Sequence, residues 1–66
     1  MWYAIAHITK DGTYIGQALV VCPMWDDTGY VVDYSPLGLE EAEALMMKYP
    51  DAAEQLKEKH IYFLNQ

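Results

Sequence analysis

Hydrophobic residues dominate the first third of the chain. They show little of the alternation between apolar and polar residues that is typical of a strand with one solvent-exposed face. Two runs rich in aromatic and β-branched residues, 2–9 and 13–22, flank the dipeptide Asp11-Gly12. This dipeptide is typical of a two-residue type I′ turn, in which both residues have positive φ. The pattern therefore predicts a β-hairpin, and both of its faces are apolar.

The turn also predicts the register of the hairpin. Lys10 pairs with Thr13, and counting outward then places Ile8 opposite Ile15. Because side chains alternate between the faces of a strand, the same count gives the following further pairs: Ala6 with Gln17, Ala4 with Leu19, Trp2 with Val21, and, on the other face, His7 with Gly16.

A third strand follows a loop that begins at Pro23. Residues 30–34 alternate, so that Tyr30, Val32 and Tyr34 face one way while Val31 and Asp33 face the other. The first helix begins either at Ser35-Pro36 or at Gly38, where Glu41 is the third helical residue. Its predicted apolar stripe has helical spacing and comprises Leu39, Ala42, Leu45, Met46 and Tyr49.

A second, shorter helix and a last strand complete the predicted fold. Pro50 ends the first helix, and Asp51 with Glu54 resembles a capping box for a helix that ends near His60. The apolar run 61–64 predicts a final strand at an edge of the sheet. We therefore expect an α+β fold in the order β-β-β-α-α-β, with a small antiparallel sheet and both helices on one face.

Composition limits the chain to one soluble domain that spans residues 1–66. Sixty-six residues are too few for two cores, and 53% hydrophobic residues are too many for a disordered segment. A single cysteine, Cys22, excludes an intramolecular disulfide framework and favours a reducing, cytoplasmic setting. No apolar run approaches the roughly 20 residues of a membrane span, and no secretory signal is visible.

Charge argues against direct nucleic-acid binding. Ten acidic residues oppose four lysines, there is no arginine, and the formal net charge is −6. Contact with phosphates needs clustered Lys and Arg. We therefore expect a protein partner.

Catalytic and metal sites are weakly indicated. Cys22 is the best nucleophile, but the predicted register places it far from His7, and a small buried apolar role explains it better. Asp26 and Asp27 near Asp33 are hard oxygen ligands, yet their sequence is ordinary for a turn and lacks a calcium-loop pattern. We therefore expect no enzyme, no cofactor and no metal.

Acidic and aromatic residues remain as candidates for binding a partner. Carboxylates at i,i+3 and i,i+4 of a helix lie about 5 to 6 Å apart, near the spacing of phosphates along a nucleic-acid strand, and can attract a basic partner. Equally, such helix faces are often only a solvated surface. Trp25 either folds over the sheet or projects as an interface anchor, and Tyr3, Tyr14 and Tyr30 either line the less covered sheet face or pack in the core. The candidate set is Asp26, Asp27, Asp33, Glu40, Glu41, Glu43, Asp51, Glu54, Glu58, Trp25 and Tyr30.

With ten carboxylates, no arginine, no catalytic constellation and α+β patterning in 66 residues, the chain resembles the small acidic phage-encoded inhibitors of the anti-CRISPR type. The resemblance is one of overall character and carries no family motif. It implies a protein that binds a Cas effector subunit in the host bacterial cytoplasm and blocks target DNA, with the carboxylates between Asp26 and Glu58 imitating nucleic acid.

Two functions therefore follow from the sequence. The first is a non-enzymatic acidic inhibitor of a basic nucleic-acid-binding protein, acting as a monomer or weak homodimer. The second is a structural or adaptor module that dimerises or joins an assembly through an aromatic sheet face, in which the charge confers only solubility.

Overall fold

The computed structural model describes residues 1–22 and 29–65, which form four strands and two helices. The antiparallel sheet has the strand order β3-β1-β2-β4. The elements are β1 (Trp2–Lys10), β2 (Thr13–Cys22), β3 (Tyr30–Leu37), α1 (Leu39–Lys48), α2 (Ala52–Lys59) and β4 (Ile61–Asn65). Element order and sheet type confirm the predicted α+β fold.

The turn between β1 and β2 forms as predicted. Asp11 has φ 50° and Gly12 has φ 83°, the two positive values that a type I′ turn needs. Lys10 pairs with Thr13, and Thr9 then pairs with Tyr14.

Beyond these two pairs, the predicted register is wrong by one residue. A β-bulge leaves Ile15 without a partner in the ladder, so Ile8 pairs with Gly16, His7 with Gln17 and Trp2 with Cys22. A shift of one residue moves every following side chain of β2 to the other face. Because both faces of the hairpin are apolar, the sequence pattern contains no signal that would reveal this shift.

The two sheet faces carry separate core clusters. The cluster on the face without helices is built mainly from small side chains: Ala4, Ala6, Ile8, Ala18, Val20 and Cys22, with Val32, Ile61 and Phe63 packed against them. The cluster under the helices contains Leu19, Val21, Ala52 and Leu56, with Tyr3, Ile5, Leu37, Leu45, Met46, Tyr49, Tyr62 and Leu64 around them. Both helices therefore cover the same face, as predicted.

The third strand is longer than predicted, and this moves the start of α1. Ser35 and Pro36 belong to β3, so the predicted helix start at these residues is wrong. The alternative start is correct, because Gly38 is the N-cap and its N–H donates to Glu41 Oε1 at 3.3 Å. A proline is tolerated in β3 because this strand lies at an edge of the sheet.

The apolar stripe of α1 packs against the sheet except at its first residue. Ala42 is buried, and Leu45, Met46 and Tyr49 are half-buried. Leu39 is wrongly predicted as part of this stripe, since it is 64% exposed in the first turn of the helix.

The second helix packs through Ala52 and Leu56, and its predicted capping box is not formed. Asp51 is the N-cap, but its side chain makes no capping hydrogen bond. His60 ends α2 with φ 63°, and its C=O accepts a hydrogen bond from Val21 N–H. This left-handed residue directs the chain into β4, which pairs with β2 at the second edge of the sheet, as predicted. Neither helix in the described ranges is long and apolar enough to cross a membrane.

Candidate protein-binding surfaces

Most of the predicted acidic residues lie on the two helices, and the apolar stripes orient them. Since each helix packs its stripe onto the sheet, the remaining positions face solvent. The five helical carboxylates and Asp51, the N-cap of α2, are all exposed. We call these residues the acidic helix layer: Glu40, Glu41 and Glu43 at α1, and Asp51, Glu54 and Glu58 at α2.

Negative charge in the acidic helix layer is densest at the beginning of α1. Three glutamates lie within its first five residues, whereas the only basic residue of α1 is Lys48 in its last turn. The ammonium of Lys48 lies 5.8 Å from the centre of the Tyr49 ring. In α2, by contrast, Lys57 and Lys59 accompany Glu54 and Glu58, so the surface of α2 is closer to neutral.

One glutamate of this layer also has a structural role. Glu41 Oε1 accepts the hydrogen bond from Gly38 N–H that fixes the start of α1. Glu40 and Glu43 make no such capping contact and stand three residues apart, which places them on neighbouring turns. They are therefore the positions where charge can be changed without disturbing the cap.

Asp33 lies on the same side of the molecule as the helices. Its neighbour across the sheet is His7 of β1, and β1 alternates so that His7 shares a face with Tyr3 and Ile5 of the cluster under the helices. Asp33 is exposed. The structure thus places seven predicted carboxylates on one side of the sheet.

Tyr30 lies on the opposite face and is separated from these carboxylates. The ammonium of Lys10 stands 5.0 Å from the centre of its ring, a cation–π distance. Trp25, Asp26 and Asp27, the other predicted binding residues, lie outside the described residues.

Trp2 and Tyr34 join Tyr30 on this face, and they are absent from the predicted binding set. Their rings are 6.0 Å apart in an edge-to-face arrangement. The exposed fractions are 44% for Trp2, 39% for Tyr34 and 36% for Tyr30. We call Trp2, Tyr30 and Tyr34 the aromatic face. Strand alternation could have identified it, since all three are even-numbered residues of β1 and β3, which pair with each other.

Tyr3 and Tyr14 do not belong to the aromatic face. Tyr3 packs in the cluster under the helices. Tyr14 follows the turn, and its ring centre lies 6.5 Å from that of His7. Of the three tyrosines that the sequence offered for this surface, only Tyr30 is there.

His7 and Cys22, the base and nucleophile weighed from the sequence, lie on opposite faces of the sheet. His7 faces the helix side, whereas Cys22 is buried in the cluster on the other face. Burial raises the pKa of the Cys22 thiol, so the thiolate needed of a nucleophile is disfavoured. Within residues 1–22 and 29–65, no group of three or more His, Cys, Asp or Glu side chains is arranged to hold a metal ion.

An apolar groove of about 300 Å³ opens where the helices meet the end of the sheet. Tyr3, Val21, Met46 and Leu56 contribute apolar surface, and Lys57 is among the polar residues that line it. The groove is on the helix side, next to the acidic helix layer.

Comparisons with protein-family models, with curated proteins and with solved structures gave no match to this chain.

Proposed function

We propose that the chain is a non-enzymatic, protein-binding inhibitor that places its acidic helix layer in the basic groove of a nucleic-acid-binding partner. The observation that supports this function is the segregation of charge. Five exposed carboxylates lie on the two helices, Asp51 caps α2, and Asp33 adds a seventh on the same side. On the opposite face, Lys10 is the only charged side chain that the described strands present.

The spacing of the carboxylates suits a basic groove. Glu40 and Glu43 are separated by three residues, and Glu54 and Glu58 by four, which corresponds to about 5 to 6 Å between neighbouring positions on a helix. This is near the spacing of phosphates along a strand. A groove lined by Lys and Arg would therefore meet negative charges at intervals similar to those of its own ligand.

The partner class follows from this chemistry and from the resemblance to anti-CRISPR inhibitors. A Cas effector subunit, or another basic nucleic-acid-binding complex in the bacterial cytoplasm, presents the groove that the acidic helix layer would fill. Occupation of that groove excludes target DNA by competition. The chain itself does not bind nucleic acid in this proposal, because its net charge of −6 repels phosphates.

The test is a pull-down from bacterial lysate with the tagged protein. Its matched variants are Glu40→Lys/Glu43→Lys, which reverses charge and keeps the Glu41 cap, and Glu40→Gln/Glu43→Gln, which only removes it. We expect a nucleic-acid-binding complex that is released by salt and by added duplex DNA, retained more weakly by the Gln variant and lost with the Lys variant. Capture that is equal for all three proteins, or indifferent to salt and DNA, would refute the proposal.

Assembly through the aromatic face is the second candidate, and the exposed rings of Trp2 and Tyr30 favour it. Trp and Tyr are the residues most enriched among the energetic anchors of interfaces. The control variant Trp2→Ala separates the two functions. It leaves capture by the acidic helix layer intact, and it weakens an assembly that depends on the aromatic face and persists at high salt.

A further inference from the structure

The outer edge of β3 has a defined hydrogen-bonding pattern. Asp11 N–H donates to Gly29 C=O at 2.9 Å, and these two residues are opposite each other in the continued β1–β3 register. In an antiparallel pair, hydrogen-bonded and non-hydrogen-bonded positions alternate. Val31, Asp33 and Ser35 therefore bond to β1, and the backbone groups of Tyr30 and Val32 are directed to the outer edge.

Two independent features agree with this assignment of the β3 residues that bond to β1 and those whose backbone groups are directed outward. Lys10 and Thr13 close a two-residue hairpin, so the backbone of Lys10 is used toward β2 and cannot also bond to its β3 partner, Tyr30. Pro36, which has no N–H, occupies a position whose N–H would be directed outward. The proline therefore removes no hydrogen bond from the β1–β3 ladder.

The sequence of β3 favours one self-pairing register. A two-fold axis at Asp33 would place two carboxylates directly opposite each other, which is destabilising. An axis at Tyr34 would set Val32 opposite Pro36, which lacks the donor, and an axis at Val31 would shorten the ladder because β3 begins at Tyr30. An axis at Val32 avoids all three defects.

We propose that two copies of this chain pair through β3 in antiparallel fashion, around a two-fold axis at Val32, and so form a continuous eight-stranded sheet. Val32 then pairs with Val32 of the second copy, and Tyr30 lies opposite Tyr34 of the second copy. On the helix side, Val31 lies opposite Asp33 of the second copy. Val31 is 63% exposed, and this pairing covers it.

The dimer does not compete with the proposed function. Strand pairing extends the sheet sideways, whereas the acidic helix layer lies on one of its faces and stays accessible. Each copy has a net charge of −6, so the two copies repel each other at low ionic strength. Added salt therefore strengthens this association, although it weakens capture of a basic partner, and the failure of either proposal can be recognised separately.

The test is sedimentation equilibrium over a range of concentrations, with opposite substitutions at one exposed position. Val31→Lys places an ammonium opposite Asp33 of the second copy, and Val31→Asp places a carboxylate there. Because the pair occurs twice, we expect dimerisation to strengthen about two- to thirtyfold with Val31→Lys and to weaken by a similar factor with Val31→Asp. Thr13→Lys and Thr13→Asp change the net charge equally at an exposed site outside β3, and they control for general repulsion.

Cross-linking tests the register without depending on affinity. Val32→Cys brings two thiols together on the axis, within the Cα separation that a disulfide accepts, so mild oxidation should give a covalent dimer. Tyr30→Cys should cross-link poorly, because Tyr34 and not Tyr30 of the second copy lies opposite it. The wild-type protein has only the buried Cys22 and should stay uncoupled.

Three results would overturn the proposal. The first is a wild-type chain that is monomeric at every concentration and salt level. The second is a pair of Val31 variants that behave like their Thr13 counterparts. The third is a Tyr30→Cys variant that cross-links as readily as Val32→Cys.

Discussion

Two non-glycine residues in the described ranges, Asp11 and His60, have positive φ and direct the chain between elements. Asp11 opens the hairpin turn, and its residue type is typical of that position. His60 ends α2 at φ 63°, where a side chain is crowded and glycine is the usual residue. The sequence places His60 correctly at a helix end but contains no signal for its left-handed conformation.

We predict that His60→Gly increases the free energy of unfolding by about 0.5 to 1 kcal/mol, because glycine relieves the left-handed strain. Urea unfolding measures this change. Lys59→Gly is the control, since a glycine within the last turn of the helix should lower stability by about 1 kcal/mol. Equal losses for the two variants would show that His60 is not strained.

Cys22 predicts an alkaline limit to stability. Burial raises the pKa of its thiol in the folded chain above the unfolded value of about 8.5. The contribution of the neutral thiol to the free energy of unfolding is therefore complete below the unfolded pKa. It is lost as the pH rises from the unfolded pKa through the folded pKa.

Wild-type stability should accordingly fall more between pH 8 and 10 than that of Cys22→Ala, when both are followed by urea unfolding. The two proteins differ only at position 22, so the contributions of all other residues cancel in the comparison. Parallel pH profiles for wild type and variant would contradict this role of burial.

Local sequence signals predicted the elements well where one signal acted alone. Asp11-Gly12 specified the turn, and the end of β2 before Pro23 and the start of β4 at Ile61 agree with the structure. The start of α1 had two competing signals, and Pro36 could serve either a helix or an edge strand. Only the position of β3 at the edge of the sheet decides between them, and edge position depends on tertiary structure.

The β-bulge at Ile15 could not be predicted from the sequence for a different reason. A strand with one wetted face would have shown a break in its alternation there. Here residues 18–22 are apolar at every position, so either register buries an apolar face. The choice depends on how Leu19 and Val21 fit under the helices, where they pack with Ala52 and Leu56.

The cap of α1 can be improved at one position. Gly38 has φ −72°, which any residue adopts, and an added Cβ would meet Glu41 Oε1 at 3.5 Å, an ordinary contact. Gly38→Ser supplies the hydroxyl that completes a reciprocal capping box with Glu41. We expect a gain of a few tenths of a kcal/mol, measured by thermal or urea unfolding.

The double variant Gly38→Ser/Glu41→Ala is the matched control. It removes the carboxylate that returns the hydrogen bond, so it should be less stable than Gly38→Ser by about 1 kcal/mol. If removal of the Glu41 side chain costs nothing, the hydrogen bond to Gly38 does not stabilise the helix.

At the scale of the whole molecule, the fold separates acidic and aromatic residues that are interspersed along the sequence. Acidic and aromatic residues alternate along the chain from Tyr30 to Tyr62, and composition alone does not show where they meet. Packing of α1 and α2 on one face collects the carboxylates there, and the even-numbered positions of β1 and β3 collect Trp2, Tyr30 and Tyr34 on the other. The described acidic members of the predicted set therefore share one side of the sheet, and Tyr30 lies on the other side.

The acidic helix layer and the outer edge of β3 predict opposite responses to salt. Contacts of the acidic helix layer with a basic partner are screened as ionic strength rises beyond about 0.15 M, where the Debye length is about 8 Å. Self-association through β3 brings together two chains of charge −6, and screening favours it. Sedimentation of the isolated chain and capture from lysate at the same salt concentrations should therefore change in opposite directions.

The most direct test of the acidic helix layer is release of the captured complex by nucleic acid. The complex retained from bacterial lysate is washed with increasing concentrations of duplex DNA at constant ionic strength, with wild-type protein and with Glu40→Gln/Glu43→Gln on parallel resins. We predict that DNA displaces the partner from wild type, and that less DNA suffices for the Gln variant. A partner that stays bound at every DNA concentration, and equally to both proteins, would contradict competition for a nucleic-acid-binding groove.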